Sequence, residues 1–299
     1  VIEENDLIAD VKAAYFRVVF LMQNKQLLQR QDSLYGNLNR SSSMRYESGE
    51  STKLESVTSA TQSMQIKNKL QQNEADMRIA EKQLQVVLNT NDEITITDSE
   101  LVRREIDLDI ERQSVEQSPF YVYLKQQLEV RKRETNVERN KVLPDIMFGY
   151  NSQTFNGGQN SGLANSNFND DDRFSFFQVG LSIPIFPGGH RAKIQAAKIE
   201  EDIAQSQIEL NKTQLQGELQ NLLQEYYKLQ GTLDYYQNEA LPQAELIIDN
   251  SEKSFKSGDV SYTQYLQNLT LANSIQTEYL NTLYQYNQSI IVIEALLGL

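Results

Sequence analysis

Apolar residues recur at alternating steps of three and four along most of this chain, and the places where that rhythm stops divide it. Near the start, Ile8, Val11, Tyr15, Val18 and Met22 form such a series, the seam of a coiled-coil helix. The stretch Tyr46-Glu-Ser-Gly49-Glu-Ser-Thr52 interrupts it. Gly49 suits the left-handed residue that closes a helix, and Thr52 with Glu55 three positions on suits a capping box for the next. A second helix through Val57, Met64, Leu84 and Val87 is predicted to about Leu88, which makes an antiparallel helical hairpin. Residues 89–96 read as extended. Two shorter helices are expected after them, at about 99–116 and 119–142, with Pro119 in a first turn where its missing N–H costs nothing.

The period then changes from helical to alternating. Ile146, Phe148 and Tyr150 alternate with Met147, Gly149 and Asn151, which signals a strand. A polar loop rich in Asn, Gly and Asp is expected at 156–172. In the next strand Phe177, Val179, Leu181 and Ile183 share one face and Phe174, Phe176, Gln178, Gly180 and Ser182 the other. One apolar and one mostly polar face fit a barrel with lipid outside and water within. They fit equally a soluble sheet with one covered face. From Arg191 a long helix begins, with Leu215, Leu219, Leu222, Tyr226, Leu229, Leu233 and Tyr236 on its seam. Pro242 is expected to kink or locally unwind it, and Gly258 to end it. A continuous helix of about 68 residues would extend roughly 100 Å, the dimension of a tube or stalk.

The two interruptions are alike. Tyr46-Glu-Ser-Gly49-Glu50 matches Phe255-Lys-Ser-Gly258-Asp259 at a separation of 209 positions, and the same separation places Leu88 on Leu297. Upstream the separation becomes 211, between Tyr15 and Tyr226. Residues 1–90 and about 212–299 therefore read as two copies of one helical hairpin. A strand pair precedes the second copy, and by this register the first copy lacks its own. Val1 opens inside a helical pattern without a signal peptide, as a mature fragment would.

Composition narrows the function classes. The chain has 299 residues, 39% hydrophobic and 23% charged, with a formal net charge of -13. Such an acidic balance argues against nucleic acid as a partner. The absence of cysteine excludes disulfides, thiolate metal sites and cysteine nucleophiles. No run approaches the roughly 18 apolar residues of a spanning helix, but strands cross a membrane in roughly 10 residues when a barrel closes. The one histidine, His190, cannot make a metal site alone and reads as an exposed or capping residue. Asp170, Asp171 and Asp172 lack the spacing of a calcium loop and read as solvated. The five methionines are scattered, with no relay suited to Cu(I). One member of each pair Tyr226/Tyr227 and Tyr235/Tyr236 falls on the seam, as packing requires. With no nucleophile–base pair or phosphate loop, an enzyme is not expected, and neither is a cofactor.

The order helical hairpin, short helices, strand–loop–strand, helical hairpin resembles the TolC-like outer-membrane efflux protein family over essentially the whole chain. Three stretches carry the resemblance: Leu143-Pro144-Asp145 with its strand; Val179-Gly-Leu-Ser-Ile-Pro184-Ile-Phe186-Pro-Gly188-Gly189-His-Arg191; and the aromatic-x-x-Gly turn at Tyr46/Gly49 and Phe255/Gly258. The resemblance implies a mainly α fold with a β hairpin, in which three protomers close a transmembrane β-barrel and continue as a periplasmic α-barrel tunnel. Residues 1–90 and 191–299 would be tunnel hairpins, 91–142 an equatorial belt and 143–190 the barrel hairpin. It implies a homotrimer in the outer membrane of a Gram-negative bacterium, in contact with lipid there. A periplasmic membrane-fusion adaptor would dock at the Gly turns, and an inner-membrane pump of RND or ABC type would supply energy. The duct would pass drugs, metal ions, other small molecules or secreted polypeptides.

The family's acidic aperture residues and the basic residue that helps lock them fall here on Gln264, Gln267 and Val260. Glu55 keeps an acid at the first turn. A constriction set by Gln264 and Gln267 with Tyr262 and Tyr265 is therefore expected in place of a charged lock. The competing reading is a non-channel structural coiled coil or adaptor protein with a soluble β domain.

Overall fold

The computed structural model describes residues 2–97, 100–106, 114–154, 157–161, 164–168, 173–183 and 188–299. Helices α1 (Ile2–Glu47) and α2 (Lys53–Val87) form the first hairpin. A 3-10 turn at Val115–Gln117 leads into α3 (Pro119–Asn140). Strands β1 (Asp145–Thr154), β2 (Gly157–Ser161), β3 (Ala164–Phe168) and β4 (Arg173–Ser182) follow. The chain ends in α4 (Gly188–Tyr235), a π turn (Tyr236–Ala240), α5 (Leu241–Ser257) and α6 (Tyr262–Leu297). Two units result, residues 1–121 with 212–299 and residues 122–211, so that α3 and α4 each contribute to both.

In the first unit α1 packs on α2 and on α6, and α6 packs on α5. The expected seam of α4 is buried at Leu215, Leu219, Tyr226, Leu229 and Leu233. Pro242 is accommodated by the π turn before it, where Leu241 N–H donates to Tyr236 O. That wider turn absorbs the ladder bond a proline cannot make.

Of the residues expected along α2, Leu84 is buried, but the rest of the seam differs. Val57 and Met64 are exposed, and Ser59, Ser63, Ile66, Asn73, Ala80 and Leu84 face inward. Those positions keep heptad spacing, but half are polar, so a search for apolar residues passes over them. Asn73 is satisfied there: its Nδ2 donates to Leu21 O at 3.0 Å, and Asn24 Nδ2 donates to its Oδ1 at 2.7 Å. On α1, Ile8 is likewise exposed, while Leu28, Tyr35 and Leu38 are buried.

The helix expected at 99–116 is absent over residues 100–106, which run without helical bonds. Side-chain amides replace the ladder. Leu101 N–H donates to Gln23 Oε1 at 2.9 Å, Arg104 N–H donates to Asn287 Oδ1 at 3.0 Å, and Asn287 Nδ2 donates to Val102 O at 2.9 Å. Arg103 pairs with Asp234 at 2.6 Å and Arg104 with Glu294 at 2.7 Å, and Lys12 reaches the same Glu294 at 2.8 Å. This segment is a strap tied to α1, α4 and α6.

In the second unit β1 pairs antiparallel with β4 from Asp145↔Ser182 to Thr154↔Arg173. The expected loop at 156–172 contains a second ladder, β2 with β3. Its Gly, Asn, Gln and Ser residues give no alternation from which to read a strand. Alongside the strands, Thr135 of α3 is buried and its Oγ1 donates to Ala197 O of α4 at 3.2 Å.

Candidate functional site at the paired helix turns

Both helical hairpins reverse by the same set of bonds. At the first turn Gly49 N–H donates to Tyr46 O, and Glu50 and Ser51 N–H both donate to Arg45 O; at the second, Gly258 donates to Phe255 O, and Asp259 and Val260 donate to Ser254 O. Gly49 and Gly258 take φ of 78° and 86°, the left-handed region that glycine enters without a Cβ penalty. Thr52 then caps α2 by accepting from Glu55 N–H, and Ser261 caps α6 by accepting from Gln264 N–H. Only the second cap closes a full capping box, with Gln264 Oε1 accepting Ser261 N–H at 3.0 Å. The correspondence reaches the far helix ends, where Asn89 and Gly298 both have positive φ. There Thr90 N–H donates to Gln85 O and Leu299 N–H to Glu294 O, both at 3.0 Å. Every pair named here is 209 positions apart.

Where the two turns meet, they enclose a cleft of about 760 Å³. Its floor is aromatic: Tyr262 and Tyr265 are buried in a cluster with Tyr35, Leu38, Ile66 and Leu269, against which Phe255 and Val260 pack. Phe255 and Tyr265 stack with centroids 4.7 Å apart and an interplanar angle of 9°. Arg45 lies over the outer face of Phe255 at 5.7 Å, a cation–π contact. Its rim is charged, with Glu50, Glu55, Glu252 and Lys256, the last two paired at 2.6 Å. Burial pushes the Tyr265 phenol up to about 12, helped by nearby Glu252 and Tyr35. Burial raises Tyr262 as well. The buried Tyr262 hydroxyl lies beside the Ser59 hydroxyl, which opposes part of that rise.

The residues singled out from sequence thus divide. Glu55, Phe255, Gly258, Val260, Tyr262 and Tyr265 line the cleft together. The two tyrosines are structural core, Gln264 is exposed and committed to its cap, and Gln267 is exposed without a hydrogen bond to the described residues. Tyr46 and Gly49 are exposed at the first turn. Gly188 and Gly189 open α4, whereas Pro184, Phe186 and the Asp170–172 run lie outside the described residues. Arg45, Glu252 and Lys256 escaped the sequence reading. The one signal for them is their place within six residues of a turn glycine.

The strand hairpin carries the second functional feature. Its register aligns Ile146 with Leu181, Phe148 with Val179 and Tyr150 with Phe177, so these six side chains share one face, each between 60 and 83% exposed. Opposite them, Gly149, Asn151 and Gln153 meet Gln178, Phe176 and Phe174. No described helix is long and apolar enough to cross a membrane. Among the described residues no group of three or more His, Asp or Glu is arranged to hold a metal ion.

Residues 113–299 match the outer membrane efflux protein family. No curated protein matches the sequence. Among solved structures, a membrane protein from Pseudomonas aeruginosa is 18% identical, with a TM-score of 0.83 over 99% of this chain and 69% of its own. The outer membrane protein VceC of Vibrio cholerae is 14% identical, with a TM-score of 0.79 over 98% of this chain and 70% of its own. The open-state MtrE outer membrane channel of Neisseria gonorrhoeae is 14% identical, with a TM-score of 0.78 over 98% and 66%. At these identities the likeness is one of fold.

Proposed function

The chain belongs to the outer membrane efflux protein family, a family of channels and not of enzymes, and from that premise we propose that it is one protomer of a trimeric, passive exit duct in a tripartite efflux or secretion system. The observation that carries this is the bare apolar face of the β1–β4 hairpin. A soluble domain would cover six such side chains, because leaving them in water forgoes roughly 1.5–3 kcal/mol for each large apolar side chain. A lipid-facing barrel strand requires them. The mostly small and polar opposite face then borders the aqueous lumen.

In this reading the helical hairpins form the periplasmic tunnel, and the Gly49 and Gly258 turns form its tip. The membrane-fusion adaptor docks on the exposed turn residues around Tyr46, Gly49, Phe255 and Gly258. The aperture is set by exposed Gln267, with Gln264 beside it and Glu55 at the equivalent first-hairpin position. Tyr262 and Tyr265 support it from behind. An inner-membrane pump of RND or ABC type supplies the energy. The duct passes drugs, metal ions or other small molecules, and binds no cofactor of its own. The location is the outer membrane of a Gram-negative bacterium.

The test is electrical. The full-length protein, reconstituted in planar lipid bilayers, should produce discrete conductance steps of uniform size. A protein that associates with the bilayer but never conducts would end the duct reading in favour of a structural coiled coil.

A further inference from the structure

Helix α2 carries two seams on opposite sides. Ser59, Ser63, Ile66, Asn73, Ala80 and Leu84 are buried on the side that packs against α1. At 3.6 residues per turn, Val57, Met64, Ala75, Ile79 and Val86 fall within about 60° of one another on the other side. That second set follows a coiled-coil stripe, yet Val57, Met64, Ile79 and Val86 are 52 to 77% exposed. Around Ala75, Ile79 and Val86 the surface is a groove of about 610 Å³, with Arg78 and Lys82 at its edge. The 209-residue correspondence says what such a face is built for. Tyr284 and Ala295 of α6 are the counterparts of Ala75 and Val86, and α1 covers both. The Phe20 ring lies 4.6 Å from that of Tyr284, and Asn5 Nδ2 donates to Ala295 O at 2.6 Å. Helix α6 is thus held between α1 and α5, whereas the second seam of α2 meets no helix among the described residues.

The same repeat identifies the helix that completes it. The counterpart of α1 is α4, at a separation of 211 positions. Tyr15 and Phe16 meet edge-on with centroids 5.5 Å apart, as Tyr226 and Tyr227 do at 5.3 Å. Opposite its buried leucine seam, α4 exposes Gly217, Gln220, Gln224, Tyr227, Gly231 and Tyr235, an uncharged stripe on an otherwise charged helix. At its middle Gly231 is the counterpart of Phe20, the residue with which α1 covers α6. We propose that the bare seam of α2 packs against this stripe of α4 in a second copy of the chain, so that the joint between protomers repeats the joint between the two halves of each. The proposal deepens the trimeric reading and rests on it. Transferring the Phe20–Tyr284 contact gives the register: Ala75 lies against Gly231 of the second copy. Helices α1 and α6 run antiparallel, with Asn5 at Ala295 and Gln31 at Thr277, and the same sense sets Ile79 beside Tyr227 of the second copy. Two small residues at the crossing let the backbones approach closely. The two faces differ, so the contact is head-to-tail and closes a ring.

Disulfide trapping in native membranes reads this register, because the chain has no cysteine of its own. Ala75→Cys/Gly231→Cys in the full-length protein, mildly oxidised, should link about tenfold more chain into dimers and trimers than Ala75→Cys/Gly217→Cys, which moves one thiol about 21 Å along the same face. The substitutions leave the protomer undisturbed, since Gly231 and Gly217 have nothing within 4 Å of an added Cβ and Ala75 lines an open groove. Either single variant of the first pair should stay unlinked. Linkage of Ala75→Cys to itself would make the α2 face self-pairing and overturn the proposal, as would equal linkage of the two double variants. A first double variant that is trimeric by mass in detergent but stays unlinked overturns the proposal and leaves the trimeric reading standing. Wild-type protein that is monomeric in membrane extracts overturns both. Ile79→Glu gives an independent measurement: a charge buried in the joint should lower the trimer fraction about tenfold at fixed protein concentration, with helical content by circular dichroism unchanged. Persistence of the trimer in that variant would also overturn the proposal.

Discussion

At Gly298 two separate constraints forbid a side chain: φ is 76°, and an added Cβ would lie 2.6 Å from Pro119 Cδ and Cγ. Gly49 has nearly the same φ, 78°, but nothing within 4 Å of an added Cβ. Gly49→Ala should therefore cost only the backbone term, about 1–2 kcal/mol, and Gly298→Ala measurably more, read as unfolding midpoints in denaturant. Equal costs would mean that α6 and Pro119 separate freely. The Tyr265 phenol gives a pH prediction. Its neutral form is favoured in the fold, with a value pushed up to about 12 against about 10 when unfolded. Its contribution is complete below pH about 10 and lost as pH rises toward 12. Tyr265→Phe should flatten that part of the alkaline unfolding profile. At this scale the sequence was readable where a residue type has one strong use: Gly49, Gly258 and Thr52 all hold their expected positions. Asn89 was not, because the left-handed conformation is only an occasional role for asparagine.

Among the elements, legibility followed whether stabilisation came from apolar burial. The α4 seam was visible because leucine and tyrosine fill it. The α2 seam was invisible because Ser59, Ser63 and Asn73 occupy it, and the strap at residues 100–106 because its backbone is satisfied by amides from distant helices. That strap is open to test. Asn287 is fully buried and serves Arg104 N–H and Val102 C=O together. Asn287→Leu should cost about 2–4 kcal/mol, since two backbone groups lose their partner at roughly 1–3 kcal/mol each, and should open the strap to proteolysis. Arg103→Gln should cost less than about 1 kcal/mol, as half-exposed ion pairs usually do. If the two variants behave alike, the amide bonds do not hold the strap.

For the whole molecule, the sequence order and the 209-residue correspondence between the turns pointed to a channel class before any coordinate was known. The proposed gate was less legible. Charge-for-charge comparison marks Gln264 and Gln267 equally, yet only the structure reveals that Gln264 closes a capping box while Gln267 has no hydrogen bond to the described residues. A chain without cysteine offers a clean test: Gln267→Cys in native membranes, treated with a mild oxidant, should give covalently linked protomers if these positions line a narrow aperture. Disulfides form only when Cα atoms approach within about 7 Å. A correctly folded variant that stays uncrosslinked would place Gln267 away from the constriction.

If β1 and β4 stand in a closed barrel, as proposed, their two-stranded ladder also sets an order of events in the life of the protein. Among the described residues each strand has one neighbour, so each presents an outer edge of unpaired amides and carbonyls. A lone hairpin with open edges is marginal in water and a template for misassociation, and within hydrocarbon those edges are intolerable. The helical hairpins, by contrast, carry their own cores and caps. Helices therefore fold first and strands last, at the moment other strands arrive to close the edges. Until then a secreted chain of this kind needs an escort that masks its strands, and delay at that step would put the hairpin, not the tunnel, at risk of aggregation.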